Sequence, residues 1–138
     1  MLLTMVISQV SAAGVAIGSP LGVTLIINDN FRAIGGWNFR NGSVYLSLDR
    51  DFYLNSTTLE PMDAYVGFGG YLAGINVAPA GEPASLELYF GIRVPVGLEY
   101  DFEDVPITIG IEATPVVGLY PATNLFMFAD IYFLFRFR

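Results

Sequence analysis

The chain has 138 residues, 14% of them charged and 54% hydrophobic, where ordinary soluble domains carry about 25% charged residues; one domain is expected, with something other than water over much of its surface. Thirteen acids against six bases give a net charge of −7, which argues against nucleic acid as a partner because phosphate binding needs a basic face. Cysteine and histidine are both absent, which removes disulfides, thiolate metal sites, the commonest general base and the commonest ligand for zinc, copper or iron.

The chain opens on "MLLTMVISQVSAAG". An apolar stretch over 2–7 is followed by the small residues Val10, Ser11, Ala12 and Ala13, the pattern of a secretory h-region and cleavage site, although the basic n-region is missing. Residues 1–13 therefore read as a signal-peptide remnant and 14–138 as the mature domain; the alternative is an extra strand or an ordered arm. A helical anchor over 1–28 is disfavoured by Gly14, Gly18, Pro20 and Gly22. Beyond residue 28 no uncharged apolar run approaches the roughly 20 residues needed to cross a bilayer as a helix.

Short alternating stretches follow. Residues 15–18 and 21–28 are two strands, or one bent at Ser19-Pro20. "NDN" at 28–30 leads into 31–39, where Phe31, Ala33, Gly35, Trp37 and Phe39 share a face. "RNGS" at 40–43 is the best local turn signal, because Asn-Gly supplies the positive φ of a tight hairpin. In 44–54, Tyr45, Ser47, Asp49, Asp51 and Tyr53 oppose Val44, Leu46, Leu48, Phe52 and Leu54, and Arg50 on the apolar face is expected at a membrane rim or snorkelling. Residues 55–63 read as a polar loop, 64–77 as a Gly-rich strand and 78–85 as another loop.

"LELYFGIRVPVGLEYDF" at 86–102 is the clearest element. Leu88, Phe90, Ile92, Val94, Val96 and Leu98 fall on one face, with Glu87, Arg93, Glu99 and Asp101 on the other; such alternation means extended chain. After Glu103-Asp104 the parity switches: Ile107, Ile109 and Ile111 are apolar and Glu112 lies opposite. A two-residue loop at 103–104 makes facing positions sum to 207, setting Arg93 against Thr114, Pro95 against Glu112, and Arg93 diagonal to Glu112. The last stretch, "LFMFADIYFLFRFR", puts Phe133, Phe135 and Phe137 on one face and Asp130, Tyr132 and Arg136 on the other.

These segments number seven, or eight if the first is split, and single-chain bacterial barrels have an even number with both termini on one side. The expected fold is all-β, an eight-stranded antiparallel up-and-down transmembrane β-barrel, since in lipid only a closed sheet satisfies its backbone hydrogen bonds. A soluble lipocalin-like barrel would invert the faces, but the remaining faces carry too few charges to solvate its outside. Tyr53, Tyr65, Tyr100, Phe102 and Phe137 are expected in interfacial girdles.

The segments "GVAIGSPLGVT", "IGGWNF", "YVGFGGYL", "FGIRVPVGLEYDFEDVPITIGIEATPVVGLYPAT" and the aromatic end, in that order, resemble a group of small bacterial outer-membrane barrels of unassigned function. The resemblance spans residues 14–137; "GIRVPVGLEY" followed by "IEATP" is its most specific part. It implies fold and a location in the bacterial outer membrane, with outer-membrane lipid and lipopolysaccharide and the barrel-assembly machinery as partners, and a monomer. Alternating aromatics ending at Phe137 resemble the carboxy-terminal signature of such barrels, from which Arg138 departs. No catalytic, metal or cofactor residue is transferred.

The interior charge network expected is Glu87, Arg93, Glu99, Asp101, Glu112, Asp130 and Arg136, with Arg93 central to charge balance. Charged pairs in so narrow a barrel neutralise one another and plug it, whereas an unpaired buried charge is costly. Enzymes known on this architecture use a histidine base, and "GFGG" at 67–70 is not followed by the helix a phosphate loop requires. The expected function is therefore non-enzymatic, structural or surface-interacting. The alternative is a narrow porin-like channel for water or small ions, which small inward residues at Gly91, Gly97, Gly110 and Gly118 would permit.

Overall fold

Alternation of large apolar with polar residues drives the chain into strands whose two faces meet different surroundings. The structure, a computed structural model, describes residues 9–18, 21–38, 43–54, 60–77, 80, 81, 83 and 85–137. Nine segments form: β1 (Val10–Gly18), β2 (Gly22–Ile27), β3 (Phe31–Asn38), β4 (Ser43–Leu54), β5 (Met62–Val77), β6 (Ser85–Arg93), β7 (Val96–Asp101), β8 (Ile107–Tyr120) and β9 (Asn124–Arg136). Neighbours in sequence pair antiparallel from β1 to β5, and β9 pairs with both β8 and β1.

The circuit closes because β6 and β7 are one strand of the wall. Both lie between β5 and β8: β6 against Gly69–Val77, β7 against Met62–Val66, and each against β8. Pro95 interrupts the ladder because it has no N–H to donate. The interruption is bridged by the Gly67 amide donating to the Pro95 carbonyl (2.7 Å) and the Val94 amide donating to the Pro115 carbonyl (3.0 Å). The result is the eight-stranded antiparallel barrel read from the sequence, with the first segment split into β1 and β2.

Burial settles which way the faces point. In β4, Tyr45, Ser47, Asp49 and Asp51 are buried, while Val44, Leu46, Leu48 and Phe52 are exposed. The arrangement is the reverse of a soluble barrel: Arg32, Arg93 and Glu99 are enclosed, and Phe68 and Leu125 are 58% and 76% exposed. Leu88, Phe90, Ile92, Val96, Ile107, Ile111, Phe133, Phe135 and Phe137 lie exposed on the outer face, and Val94, Leu98 and Ile109 are half-buried on it. Arg50 is also outside, over the rings of Phe52 (5.2 Å) and Phe31 (5.8 Å).

Several boundaries differ from the sequence reading. Asn28 and Asp29 make the β2–β3 turn with φ of 50° and 61°, a left-handed conformation that Asn and Asp tolerate. The Asn-Gly turn at 40–43 lies, apart from Ser43, outside the described residues. The 55–63 loop is shorter than expected, since β5 already starts at Met62. Facing residues of β7 and β8 sum to 209 rather than 207, as in Gly97 opposite Glu112. The turn is longer because Pro106 cannot donate to the ladder; Phe102 bonds instead to the Ile107 carbonyl at 3.0 Å. A shift of two leaves every residue on the expected face.

At the amino end the wall begins at Val10, ahead of the division at residue 13. Ala12 and Ala13 pair with Arg136 and Phe135, and the Ser11 carbonyl accepts the Phe137 amide at 2.8 Å. The leader reading for residues 1–8 falls outside the described residues. A chain starting at Gly14 is expected to unfold at lower temperature in detergent than one starting at Gln9, because it loses the end of the β1–β9 seam; equal transition temperatures would show that residues 10–13 do not close the barrel.

Candidate functional site

The inward side chains of the half nearest the termini are held together by Arg32, on β3, which is 1% exposed. Its Nε donates to Asp51 Oδ2 on β4 at 2.8 Å and its Nη2 to Glu99 Oε1 on β7 at 2.7 Å, with Glu112 Oε2 on β8 at 3.6 Å from Nη1. The guanidinium carbon also lies 4.6 Å from the ring centres of both Tyr65 and Tyr132. Each contact compensates part of the cost of burying the charge.

Arg93 makes the second centre, one level further from the termini. It donates to Glu112 Oε1 (2.9 Å) and the Tyr45 hydroxyl (2.7 Å), and its Nε lies 3.0 Å from Asp49 Oδ2. Glu112 links the two centres, and also accepts from Tyr65 (2.5 Å) and Thr114 (2.8 Å). The Tyr132 hydroxyl stands 2.8 Å from Glu99 Oε1 and 2.9 Å from the Tyr65 hydroxyl. At the rim near the termini Arg136 donates to Glu99 and Asp101, both at 3.1 Å, and Asp101 accepts from Thr108.

Of the charges expected to meet inside, Arg93, Glu99 and Glu112 are buried together, with Arg136 and Asp101 joined to them at the rim. Arg93 and Glu112 are not diagonal neighbours, since Arg93 faces Val116 and Glu112 faces Gly97; the long arginine stem spans the difference. Glu87 does not join them. It is exposed where β6 runs past the end of β8, whose pairing starts at Phe90 opposite Tyr120, and it accepts the Tyr89 hydroxyl at 2.9 Å. Asp130 points inward and is half-buried, but enters none of the ion pairs among the described residues.

Alternation alone left out half of the site. Arg32, Asp49 and Asp51 are as buried as Arg93, so Arg93 shares the charge balance with a second cation. Tyr65 is wholly buried and Tyr53 donates to Glu99 at 3.1 Å, so neither belongs to a girdle. The signal available was the phase of Asp49 and Asp51 on β4, opposite its apolar face.

Two inward glycines leave no room for a side chain of their own beside these tyrosines. A methyl group on Gly97 would come within 2.4 Å of the Tyr65 ring, and one on Gly110 within 2.1 Å of the Tyr132 ring. Each glycine is a socket for an aromatic ring from across or beside it. In the half away from the termini the lining changes: Tyr45, Tyr71, Tyr89, Ile75, Phe126 and Phe128 surround a cavity of about 300 Å³.

No known protein family matches the chain, and no curated protein matches it. Among solved structures it is similar in fold to the N-terminal β-barrel domain of Pseudomonas aeruginosa OprF, with 14% identity, a TM-score of 0.67 and coverage of 93% of this chain and 96% of that one. Neisserial surface protein A (NspA) is a second likeness, with 16% identity, a TM-score of 0.53 and coverage of 93% and 94%. At these identities the likeness establishes the eight-stranded barrel fold.

Gly110→Ala is expected to destabilise the barrel by about 1–3 kcal/mol through overpacking against Tyr132, whereas Gly35→Ala, whose methyl meets only Leu46 at 3.7 Å, should change little. Unfolding titrations in detergent or vesicles measure both; equal effects would mean that Gly110 is not a socket.

Proposed function

We propose that the protein is a non-enzymatic barrel of the bacterial outer membrane whose lumen is closed by a charge-paired plug, with a structural or surface-interaction role. The observation that carries the reading is the network of Arg32 and Arg93 with Asp51, Glu99, Glu112 and Asp49, contributed by β3, β4, β6, β7 and β8 and buried inside the barrel. Location is supported by the apolar outer face and by the fold shared with a Neisserial surface protein. Outer-membrane lipid and lipopolysaccharide are then the medium of that face, and the outward Phe133, Phe135 and Phe137 of the last strand suit recognition by barrel-assembly machinery. The circuit of strands is complete within one chain, which fits a monomer.

A narrow cation path is the second reading. It is favoured by one observation: among the described residues no hydrogen bond reaches either carboxylate oxygen of Asp49, 1% exposed and ion-paired with Arg93, or Asp51 Oδ1. Such oxygens are the places where hydrated ions would pass.

Planar-bilayer recording separates the two. The plug predicts no resolvable conductance for the natural chain and measurable steps for Arg32→Ala; steady cation-selective steps in the natural chain would favour the path. Folding free energies in vesicles test the plug independently. Arg32→Ala should cost about 3–5 kcal/mol, because it strands buried carboxylates, and Glu112→Ala should cost less, because Arg32 and Arg93 both keep other acids. A double-mutant cycle for Arg93 and Glu112 should show a coupling of about 0.5–3 kcal/mol; simple additivity would mean that the two are not a plugging pair.

For the outer face, Ile111→Arg should destabilise by about 2–4 kcal/mol if the residue sits near the bilayer midplane. An unchanged unfolding curve in vesicles would place this face outside lipid.

A further inference from the structure

The cavity beyond the plug is built unlike the rest of the interior. Aromatic rings dominate its walls: Tyr45 stacks on Tyr71 with centres 5.6 Å apart, Phe128 meets Tyr45 edge-on at 5.6 Å, and Phe126 meets both Tyr71 and Phe128. Tyr89, half-buried, and the exposed Trp37 add two more rings, and Ser43 and Asn124 are the polar side chains among the rest of the lining. Ordered water needs two to four polar partners in such a space, and these walls are mostly carbon. An apolar cavity of about 150 Å³ holds benzene, so 300 Å³ has room for a substituted ring.

The charges around the cavity select among apolar guests. Aromatic faces are negative and attract cations. No guanidinium lines the cavity among the described residues. Arg93, which reaches the Tyr45 hydroxyl from below, is already matched by Asp49 and Glu112. The lumen as a whole carries more carboxylates, at Asp49, Asp51, Glu99, Asp101, Glu112 and Asp130, than guanidiniums, at Arg32, Arg93 and Arg136. Glu87 places one more carboxylate beyond Tyr89 at this end. The geometry points to a binding site for a small organic cation with an apolar body, an aryl or alkyl ammonium, entered from the end of the barrel opposite the termini.

The test uses the full chain folded in lipid nanodiscs, with benzyltrimethylammonium as the cation, benzyl alcohol as a neutral ring and benzenesulfonate as an anion, each titrated by calorimetry and by ligand-observed NMR. The cation is expected to bind saturably, about fivefold or more tightly than the neutral ring, and the anion not at all. Ala73→Phe, which fills the cavity from β5, should abolish binding. Phe128→Leu should weaken the cation about tenfold and leave the neutral ring nearly unchanged. Heat-dependent gel migration checks that each variant is folded; should Ala73→Phe fail to fold, Phe128→Leu decides. Equal affinity for the cation and the neutral ring, no saturable binding of the cation, or binding that survives both substitutions would overturn the proposal, the last by locating the cation on the acidic surface.

Discussion

A guanidinium enclosed by a barrel eight strands wide must find all its partners within the lumen, and Arg32 shows what that requires. A charge taken out of water is tolerated only where paired and hydrogen-bonded, so the surrounding strands have to deliver groups at one height: Asp51 from β4, Glu99 from β7, Glu112 from β8, and the rings of Tyr65 and Tyr132 from β5 and β9. The two rings then fix Gly97 and Gly110, because nothing larger fits beside them. One buried cation thus constrains five other strands, and a change of register in any of them by two residues would misplace its partner by roughly one strand repeat of 6–7 Å.

The lumen is consequently divided. Near the termini it is filled by charge pairs and by tyrosines whose hydroxyls end on Glu99 and Glu112. Further along, beyond Arg93, the inward positions become Tyr71, Ala73, Val116, Phe126 and Phe128, which pack on one another rather than on ions. The glycines that in the sequence suggested an open pore are occupied by rings in the first half: small residues inside a barrel signal a neighbour's bulk as readily as a gap. At the far end a space lined by rings lies above the charge layer.

Much of this was legible in the alternation. Parity alone placed Leu88, Ile92 and Ile111 outside and Glu99 and Glu112 inside, since a side chain's face depends only on odd or even position, and it survived the error in the β7–β8 turn because that error was two residues. Height along the barrel was not legible. Glu87 has the right parity yet lies beyond the end of β8, and Tyr65, placed by sequence at an interface, sits at the level of Arg32. Arg32 itself escaped because β3 presents Ile34 and Gly36 on the same face, so no run of polar residues marks it as interior. Only pairing with β4, which sets Arg32 opposite Asp49, brings it to the acids.

Arginine, rather than lysine, suits both buried positions for a physical reason. The guanidinium is planar, stays charged in a dry interior and offers five donors in fixed directions, so it can meet several carboxylates while its face lies against an aromatic ring. Arg32 uses this fully: two of its nitrogens donate to different strands while the plane remains near Tyr65 and Tyr132. An ammonium is a compact charge on a flexible stem and would sacrifice either the stacking or the second carboxylate. The tyrosines take up what the guanidiniums do not reach, donating to the remaining lone pairs of Glu99 and Glu112. Compensation is uneven among the acids: Asp49 is ion-paired with Arg93 at 3.0 Å yet has no hydrogen bond among the described residues, and the half-buried Asp130 enters none of the ion pairs, so the lumen keeps an excess of negative charge beside its two arginine centres.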